Sequence, residues 1–480
     1  MVPLLRSKKL FKSNLLLLTL TAFIFSAGCQ KESADSLLRE EAANAKFNNG
    51  NGFGNTSPEM VLRWNEAATY VVTNTPQPPP ITPFWESRYY AMVNIAMYDA
   101  LNNIVPKYKW YALNARDKDA NPDAAVAQAA HDVIVNAFGT LNPPANFTPP
   151  PVQDYINNLL AESLNAIEDG EAKTKGIALG AAAAQAIIQK RTNDGSQNIS
   201  YTLPEGTGPG DYRWTFPFNI PGLPIYGTVD AVGWQHVMPF SMSSGDQFRP
   251  GGPYGQTNNA LAIKTQRYIA DYNEIKHLGC DNCPDRTADQ TTLAKFWAGS
   301  SPLAWNIIAR DVLAQYKNMD AWRVVRLLAQ VQIAQADTYI ASADAKYHYY
   351  FWRPITAIQL NNLGETPGTT GDPTWNVTAY VTPPAPDYPS AHAATGAASA
   401  EVIRRFFDKD DFSFSLSSPA VPGFPPENIY RSFTSLTQAA DENAISRMYL
   451  GIHFREAVMV GKKQGRDLGA WVASQSLREN

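Results

Sequence analysis

Residues 320–344 read DAWRVVRLLAQVQIAQADTYIASAD, a run in which apolar side chains return at helical spacing with neither Gly nor Pro to interrupt them. That pattern predicts one long helix. The same periodicity recurs on both sides of it. Residues 88–103, 124–138, 152–167 and 172–192 predict an N-terminal helical bundle within 57–200. Residues 263–272, 288–297, 304–319, 391–407, 429–449 and 453–474 join the long helix in a second bundle over 263–476. Strand-like alternation is scarce. The predicted fold is all-α, with two helical bundles packed as one domain. Residues 201–262 break the pattern, because Pro, Gly and aromatics crowd there, as in Pro209-Gly210-Asp211-Tyr212-Arg213-Trp214. A stretch of that length is too long for an idle connection. It is predicted to be an irregular segment that wraps over the helices and lines a pocket.

The chain has 480 residues, is 44% hydrophobic and carries a formal net charge of -4. No Lys/Arg run occurs beyond the extreme N-terminus, so a nucleic-acid surface is not expected. The N-terminus reads as an export signal over 1–28. Arg6, Lys8, Lys9 and Lys12 precede a short apolar run, 15–25, and then Ser26-Ala27-Gly28 and Cys29. A Cys directly after small residues resembles the bacterial lipoprotein signal, in which the Cys is lipidated. A plain secretory signal with an incidental Cys is the alternative. Residues 29–56, polar with Asn48-Asn49-Gly50-Asn51-Gly52, read as a flexible tether. The protein is thus expected to be exported and held at the cell envelope only through a lipid on Cys29. The two other cysteines, Cys280 and Cys283, have no second pair to complete a zinc site. In an oxidising compartment a local disulfide is the favoured reading, with a functional thiol pair the alternative.

Chemistry concentrates in three short stretches. In Lys346-Tyr-His-Tyr-Tyr-Phe-Trp-Arg353-Pro354 the two cations lie seven residues apart, close to two helical turns, so they are expected on one face. In Pro383-Pro-Ala-Pro-Asp-Tyr-Pro-Ser390-Ala391-His392 the Pro-rich lead gives way to an Ala-rich helix. Ser390 is its natural N-cap, and the helix N-terminus is a ready anion site beside His392. In Ser446-Arg447-Met-Tyr-Leu-Gly451-Ile-His453, Gly451 is expected to end one helix and His453 to open the next, with Arg447 a third cation. Taken singly, each has a bland alternative: a solvated basic face, a capping Ser with an incidental His, a buried His at a helix corner.

Together, Lys-x6-Arg-Pro, Pro-Ser-x-His and Ser-Arg-x5-His resemble the shared signature of type 2 phosphatidic-acid phosphatases, bacterial acid phosphatases and vanadium haloperoxidases. The signature covers about 110 residues, 346–453. Trp64-Asn65-Glu66, Arg286-Thr287-Ala288-Asp289-Gln290 and Trp352-Arg353-Pro354-Ile355 extend the resemblance toward the bacterial haloperoxidases. The resemblance implies a vanadate cofactor, for which phosphate can compete. It implies that His453 bonds vanadium and that Lys346, Arg353 and Arg447 neutralise its oxygens. Ser390 and the Ala391 N–H are then hydrogen-bond donors, and His392 handles the proton of the apical oxygen. The implied reactants are hydrogen peroxide, a halide (iodide or bromide foremost) and small organic acceptors.

Two positions depart from that family. An Asp four residues after the ligand His orients it there, whereas this chain has Ala457, with Glu456 one place earlier. One residue turns a helical side chain by about 100°, so Glu456 is not expected to stand in. Ala385 occupies the place, five residues before Ser390, where the family carries a bulky or imidazole side chain. Two alternatives stand beside the haloperoxidase: an acid phosphatase with a phosphohistidine at His453, and a non-catalytic surface lipoprotein. The missing Asp counts against the phosphatase, because a nucleophilic imidazole needs a fixed tautomer.

Overall fold

Periodicity becomes helix almost everywhere it was predicted. The computed structural model describes residues 56–75, 82–139, 151–197, 200–360, 366–379, 381–418 and 429–480. The expected signal segment, Cys29 and the tether through residue 55 lie outside the described residues. In chain order come α1 (Glu59–Asn74), α2 (Pro83–Ile104), α3 (Pro122–Gly139), α4 (Pro151–Asn165) and α5 (Glu171–Arg191). The intermediate segment carries β1 (Ser200–Thr202), β2 (Thr228–Val232), three short 3-10 turns and α6 (Asn259–Ala262). Then follow α7 (Gln266–Leu278), α8 (Ala288–Phe296), α9 (Ser301–Leu313), α10 (Ala321–Tyr349) and α11 (Pro354–Leu360). The chain continues through α12 (Ala391–Phe407), β3 (Phe414–Ser417), β4 (Tyr430–Phe433), α13 (Leu436–Tyr449) and α14 (Arg455–Gln475). No helix of the described residues is long and apolar enough to cross a membrane.

Helix α10 is the spine. Asp320 caps it by accepting from the Arg323 N–H at 3.0 Å. It packs on α2 and on α12, so one hydrophobic cluster runs from Met60 to Leu477 and includes Leu101, Trp305, Trp322, Leu328 and Leu468. Each large aliphatic side chain buried there contributes on the order of 1.5–3 kcal/mol. Helix α14 lies against α12 at unusually close range. A Cβ on Gly461, Gly465 or Gly469 would stand 2.4, 2.0 or 2.5 Å from the carbonyl oxygens of Ser390, Ala394 and Ala398. Three glycines at i, i+4 and i+8 therefore let the two backbones touch, which fixes the start of α14 beside the start of α12.

The segment between the bundles is sewn to the spine. Asp337 of α10 accepts from the Phe240 N–H at 2.6 Å and the Ser241 N–H at 2.8 Å. The Tyr212 N–H donates to Tyr350 O and the Trp352 N–H to Gly210 O, each at 2.8 Å. The Asp230 N–H reaches Pro384 O at 2.7 Å. The segment thus covers both the 350–352 turn and the Pro-rich lead of α12.

Three local expectations need correction. Residues 429–449 are not one helix: Tyr430–Phe433 pairs antiparallel with Phe414–Ser417, Phe433 opposite Phe414, and α13 begins only at Leu436. Here pairing with a strand distant in sequence overrides a helical local pattern. Lys346 and Arg353 do not share a helix face. Helix α10 ends at Tyr349, Tyr350 takes a left-handed conformation (φ 54°), and Arg353 follows in an extended link before α11. His453 does not open a helix either. It lies in the link between α13 and α14, two residues before Arg455.

Candidate active site

The break after α10 is what brings the first two cations together. Lys346, in the last turn, donates from Nζ to Pro386 O at 2.6 Å and Asp387 O at 3.1 Å. Arg353, beyond the break, donates from Nε to Ala385 O at 2.6 Å and from Nη1 to Ile452 O at 2.8 Å. Both side chains are almost fully buried, at 3% and 1% relative exposure. Two buried cations thus grip one loop, 385–387, and tie it to the link that carries His453.

Ser390 caps α12, its Oγ accepting from the Ala393 N–H at 3.4 Å, and Ala391 and His392 fill the first turn as expected. Arg447 closes α13 and donates from Nη1 to Trp297 O at 2.7 Å; its buried Nε has no partner among the described residues. His392 Nε2 lies 3.5 Å from Arg447 Nη1. Gly451, at φ +80°, then turns the chain into His453. At that turn Gly451 meets Gly279 so closely that a Cβ on Gly451 would fall 2.2 Å from Gly279 O. Next to Gly279, Cys280 and Cys283 are joined in a disulfide. Arg286 Nη1 binds the loop to the turn, donating to Leu278 O at 2.8 Å, Cys280 O at 2.6 Å and Tyr449 O at 3.4 Å. The cysteine pair thus lies beside the turn that leads into His453.

His453 is held by Asp387, a residue of the Pro-rich lead to which the motifs assign no role. Its Nδ1 lies 2.8 Å from Asp387 Oδ1, and its Nε2 lies 3.1 Å from Arg353 Nη1. A carboxylate can only accept and a guanidinium can only donate, so the network assigns the proton to Nδ1 and leaves the Nε2 lone pair facing the cations. Asp387 therefore supplies the orienting carboxylate sought four residues after His453. Position 457 has no room for one: Ala457 is fully buried and its carbonyl accepts from the Ser390 N–H at 2.9 Å. Glu456 points elsewhere, 3.3 Å from Arg267. The available signal was an acidic residue inside a Pro-rich loop three residues before the capping Ser.

The electrostatics follow from burial. Burial holds the His453 imidazole well below the ordinary histidine range, and Arg353, Lys346, Arg447 and His392 add to the effect. Burial and then Arg447 lower His392 in the same way. Both imidazoles are neutral, so each offers a nitrogen lone pair. Burial also lowers Lys346, with Arg353 adding to it, and brings Arg447 down to about 9. Burial raises Asp387 to about 7 against the pull of Arg353 and Lys346. These shifts reflect cations buried close together, an arrangement that favours an anion between them. One imidazole ligand with three cations suits an oxyanion better than a bare metal ion. No group of three or more His, Cys, Asp or Glu arranged to hold a metal ion occurs among the described residues.

The sequence and the fold are similar to those of known proteins. Residues 326–479 match the family described as VCPO second helical-bundle domain. The chain is 26% identical over 277 residues to vanadium chloroperoxidase of Curvularia inaequalis, a match covering 42% of this chain and 45% of that relative. The chain thus spans under half the length of the curated relative. Among solved structures it is similar to the first bacterial vanadium-dependent iodoperoxidase, with a TM-score of 0.68 and 25% identity, over 89% of this chain and 98% of that one. A holo-type bacterial vanadium-dependent chloroperoxidase shares the fold, with a TM-score of 0.63 and 17% identity, over 84% of this chain and 94% of the other.

Proposed function

We propose that this chain, a relative of the vanadium-dependent haloperoxidases, holds vanadate on His453 and uses it to oxidise a halide with hydrogen peroxide. The observation that carries the reading is the His453–Asp387 pair, which aims a neutral Nε2 lone pair into a pocket of three cations. The residues fit the group. Lys346, Arg353 and Arg447 offset the negative oxygens, and Arg447 Nε has a hydrogen bond to give. Ser390 and the Ala391 N–H stand at the helix N-terminus beside them. Vanadate bound there would supply a Lewis acid that activates peroxide without a change in its own oxidation state. The reaction balances as H2O2 + X⁻ + H⁺ → HOX + H2O. Neutral His392 takes up the proton that peroxide gives up on binding. Lys346 would offset negative charge on the oxygens of the bound group. Iodide is the easiest halide to oxidise and so the least demanding of the pocket, and Ala385 stands where the family carries a larger side chain. Small organic acceptors then consume the hypohalous acid.

The acid-phosphatase reading gains from the same pair, because Asp387 fixes the tautomer that a nucleophilic His453 needs. One assay separates the two. Purified metal-free protein, given orthovanadate, is tested for peroxide-dependent iodide oxidation and for phosphate-ester hydrolysis. Gain of oxidation that added phosphate suppresses supports the haloperoxidase. A brisk phosphatase that vanadate only inhibits rejects it. Asp387→Asn is expected to weaken vanadate binding about 10–100-fold, the usual cost of losing a group that orients a metal-bound His. Calorimetric titration reads this directly, and an unchanged affinity contradicts the assignment.

The export reading rests on sequence alone. Arg6 to Lys12, the apolar run and Cys29 support an envelope protein lipidated at Cys29. Cys29→Ser is expected to move the protein from the membrane fraction to the soluble one, and a variant that stays membrane-bound contradicts this.

A further inference from the structure

His392 has a second polar neighbour besides Arg447, and both come from one face of α13. Asn443 and Arg447 stand one helical turn apart, so their side chains point the same way. Asn443 is fully buried, and its Nδ2 donates to His392 O at 3.0 Å. Arg447 Nη1 lies 3.5 Å from His392 Nε2. One residue thus holds the main chain of His392 and the other faces its ring. A Cβ on Gly396, one turn further along α12, would collide with Asn443 Nδ2, so a glycine there is what admits the amide. The main chain of Asn443 is engaged as well, its carbonyl accepting from Ser446 Oγ at 2.7 Å.

The orientation of the amide follows from its partner. A carbonyl can only accept, so the NH2 end faces His392 O and Oδ1 is turned away from it. That oxygen is buried and meets no donor at full hydrogen-bond geometry among the described residues. Buried acceptors are rarely left without a task. The ring of His392 supplies one. A guanidinium can only donate, so Nε2, which faces Arg447, carries the lone pair and Nδ1 carries the hydrogen. When Nε2 takes up a proton, positive charge spreads to Nδ1–H. Burial and Arg447 oppose that charge, whereas the Asn443 side chain favours it.

We propose that Asn443 is the positioning residue for His392, holding its main chain through Nδ2 and offering Oδ1 to Nδ1–H when Nε2 accepts a proton. The proposal deepens the functional reading above and rests on it for the source of that proton, peroxide. In the transfer an O–H bond of peroxide breaks, its electron pair stays on oxygen, and an Nε2–H bond forms. Asn443 touches neither reactant. It acts through His392, as Asp387 acts through His453.

The test compares the unmutated protein with Asn443→Leu, which keeps the bulk and loses both hydrogen-bonding ends. Nuclear magnetic resonance of vanadate-free protein with 15N-labelled histidine reads the ring tautomers, and the His392 signal is identified by its absence in His392→Ala. The unmutated protein should show His392 as one neutral tautomer with its hydrogen on Nδ1, and Asn443→Leu should lose that single form. With orthovanadate and iodide supplied, kcat/KM for H2O2 should fall about 10–100-fold in Asn443→Leu, the scale for removing a group that orients a functional imidazole. Vanadate affinity, read by calorimetry, should be retained, because Asn443 binds His392 and not the anion. A mere helix brace would leave the tautomer and the peroxide dependence unchanged in a variant of native helical content, and that result overturns the proposal. Asn443→Ala, which adds no bulk against Gly396, takes its place if Asn443→Leu does not fold. A hydrogen on Nε2 in the unmutated protein overturns the proposal by itself. If the unmutated protein binds no vanadate or oxidises no iodide, the haloperoxidase reading fails, and the tautomer comparison still decides for or against Asn443 as the residue that orients His392.

Discussion

His453→Ala is expected to abolish tight vanadate binding while leaving the helical content intact. The Nε2 lone pair is the one that Asp387 aims at the cluster, whereas Lys346, Arg353 and Arg447 can only attract the oxygens and Ser390 and the Ala391 N–H can only hydrogen-bond to them. Without it the anion would keep its ion pairs but the protein would have no bond to the metal. The fold has little reason to respond. His453 lies in a link between helices rather than within one, and the turn before it is fixed by Gly451 against Gly279 and by Arg286. Removing the imidazole also leaves Asp387 without its Nδ1–H partner. A modest loss of stability, about 1–3 kcal/mol for a buried acceptor left unpaired, is therefore expected beside the loss of binding. Calorimetric titration and circular dichroism on the same sample check both halves. Retained stoichiometric binding would place the anion elsewhere.

His392→Ala is expected to keep vanadate and lose most halide oxidation, on the order of 10²–10⁴-fold, the range for a removed general acid or base. His392 stands at the N-terminus of α12, 3.5 Å from Arg447. Burial and that guanidinium hold it neutral, so it can receive a proton without first losing one. A base lowered in this way stays in its receptive form further into acid than an ordinary histidine does. The peroxide dependence, kcat/KM for H2O2 against pH, should accordingly lack an acid limb within the ordinary histidine range. The limb appears only at the lower pH where His392 itself protonates. A bound anion beside Arg447 offsets part of the guanidinium charge and moves that limb upward. If His392→Ala loses vanadate as well as turnover, the residue belongs to the anion's binding set rather than to proton handling.

The helices and the three motifs were legible because they depend on near neighbours in sequence. Residues 391–407 carry their cap, their Ala-rich body and their His in one continuous stretch. What was not legible depends on distant contacts. Tyr430–Phe433 becomes a strand only because Phe414–Ser417 is there to pair with it. Lys346 and Arg353 meet through a left-handed residue at Tyr350, a conformation that a Tyr does not announce. Asp387 was visible as a residue, yet its role depends on Gly461, Gly465 and Gly469 letting α14 settle onto α12, which brings 453 to within reach of 387.

The central claim is that His453 Nε2 binds vanadium in a pocket otherwise made of cations and hydrogen-bond donors. X-ray absorption at the vanadium edge, on protein loaded with one equivalent of orthovanadate, tests it most directly. The account predicts a first shell of oxygens with a single nitrogen, and loss of that nitrogen in His453→Ala when vanadate is supplied in excess. A shell of oxygens alone in the unmutated protein, or a nitrogen that survives His453→Ala, would contradict it.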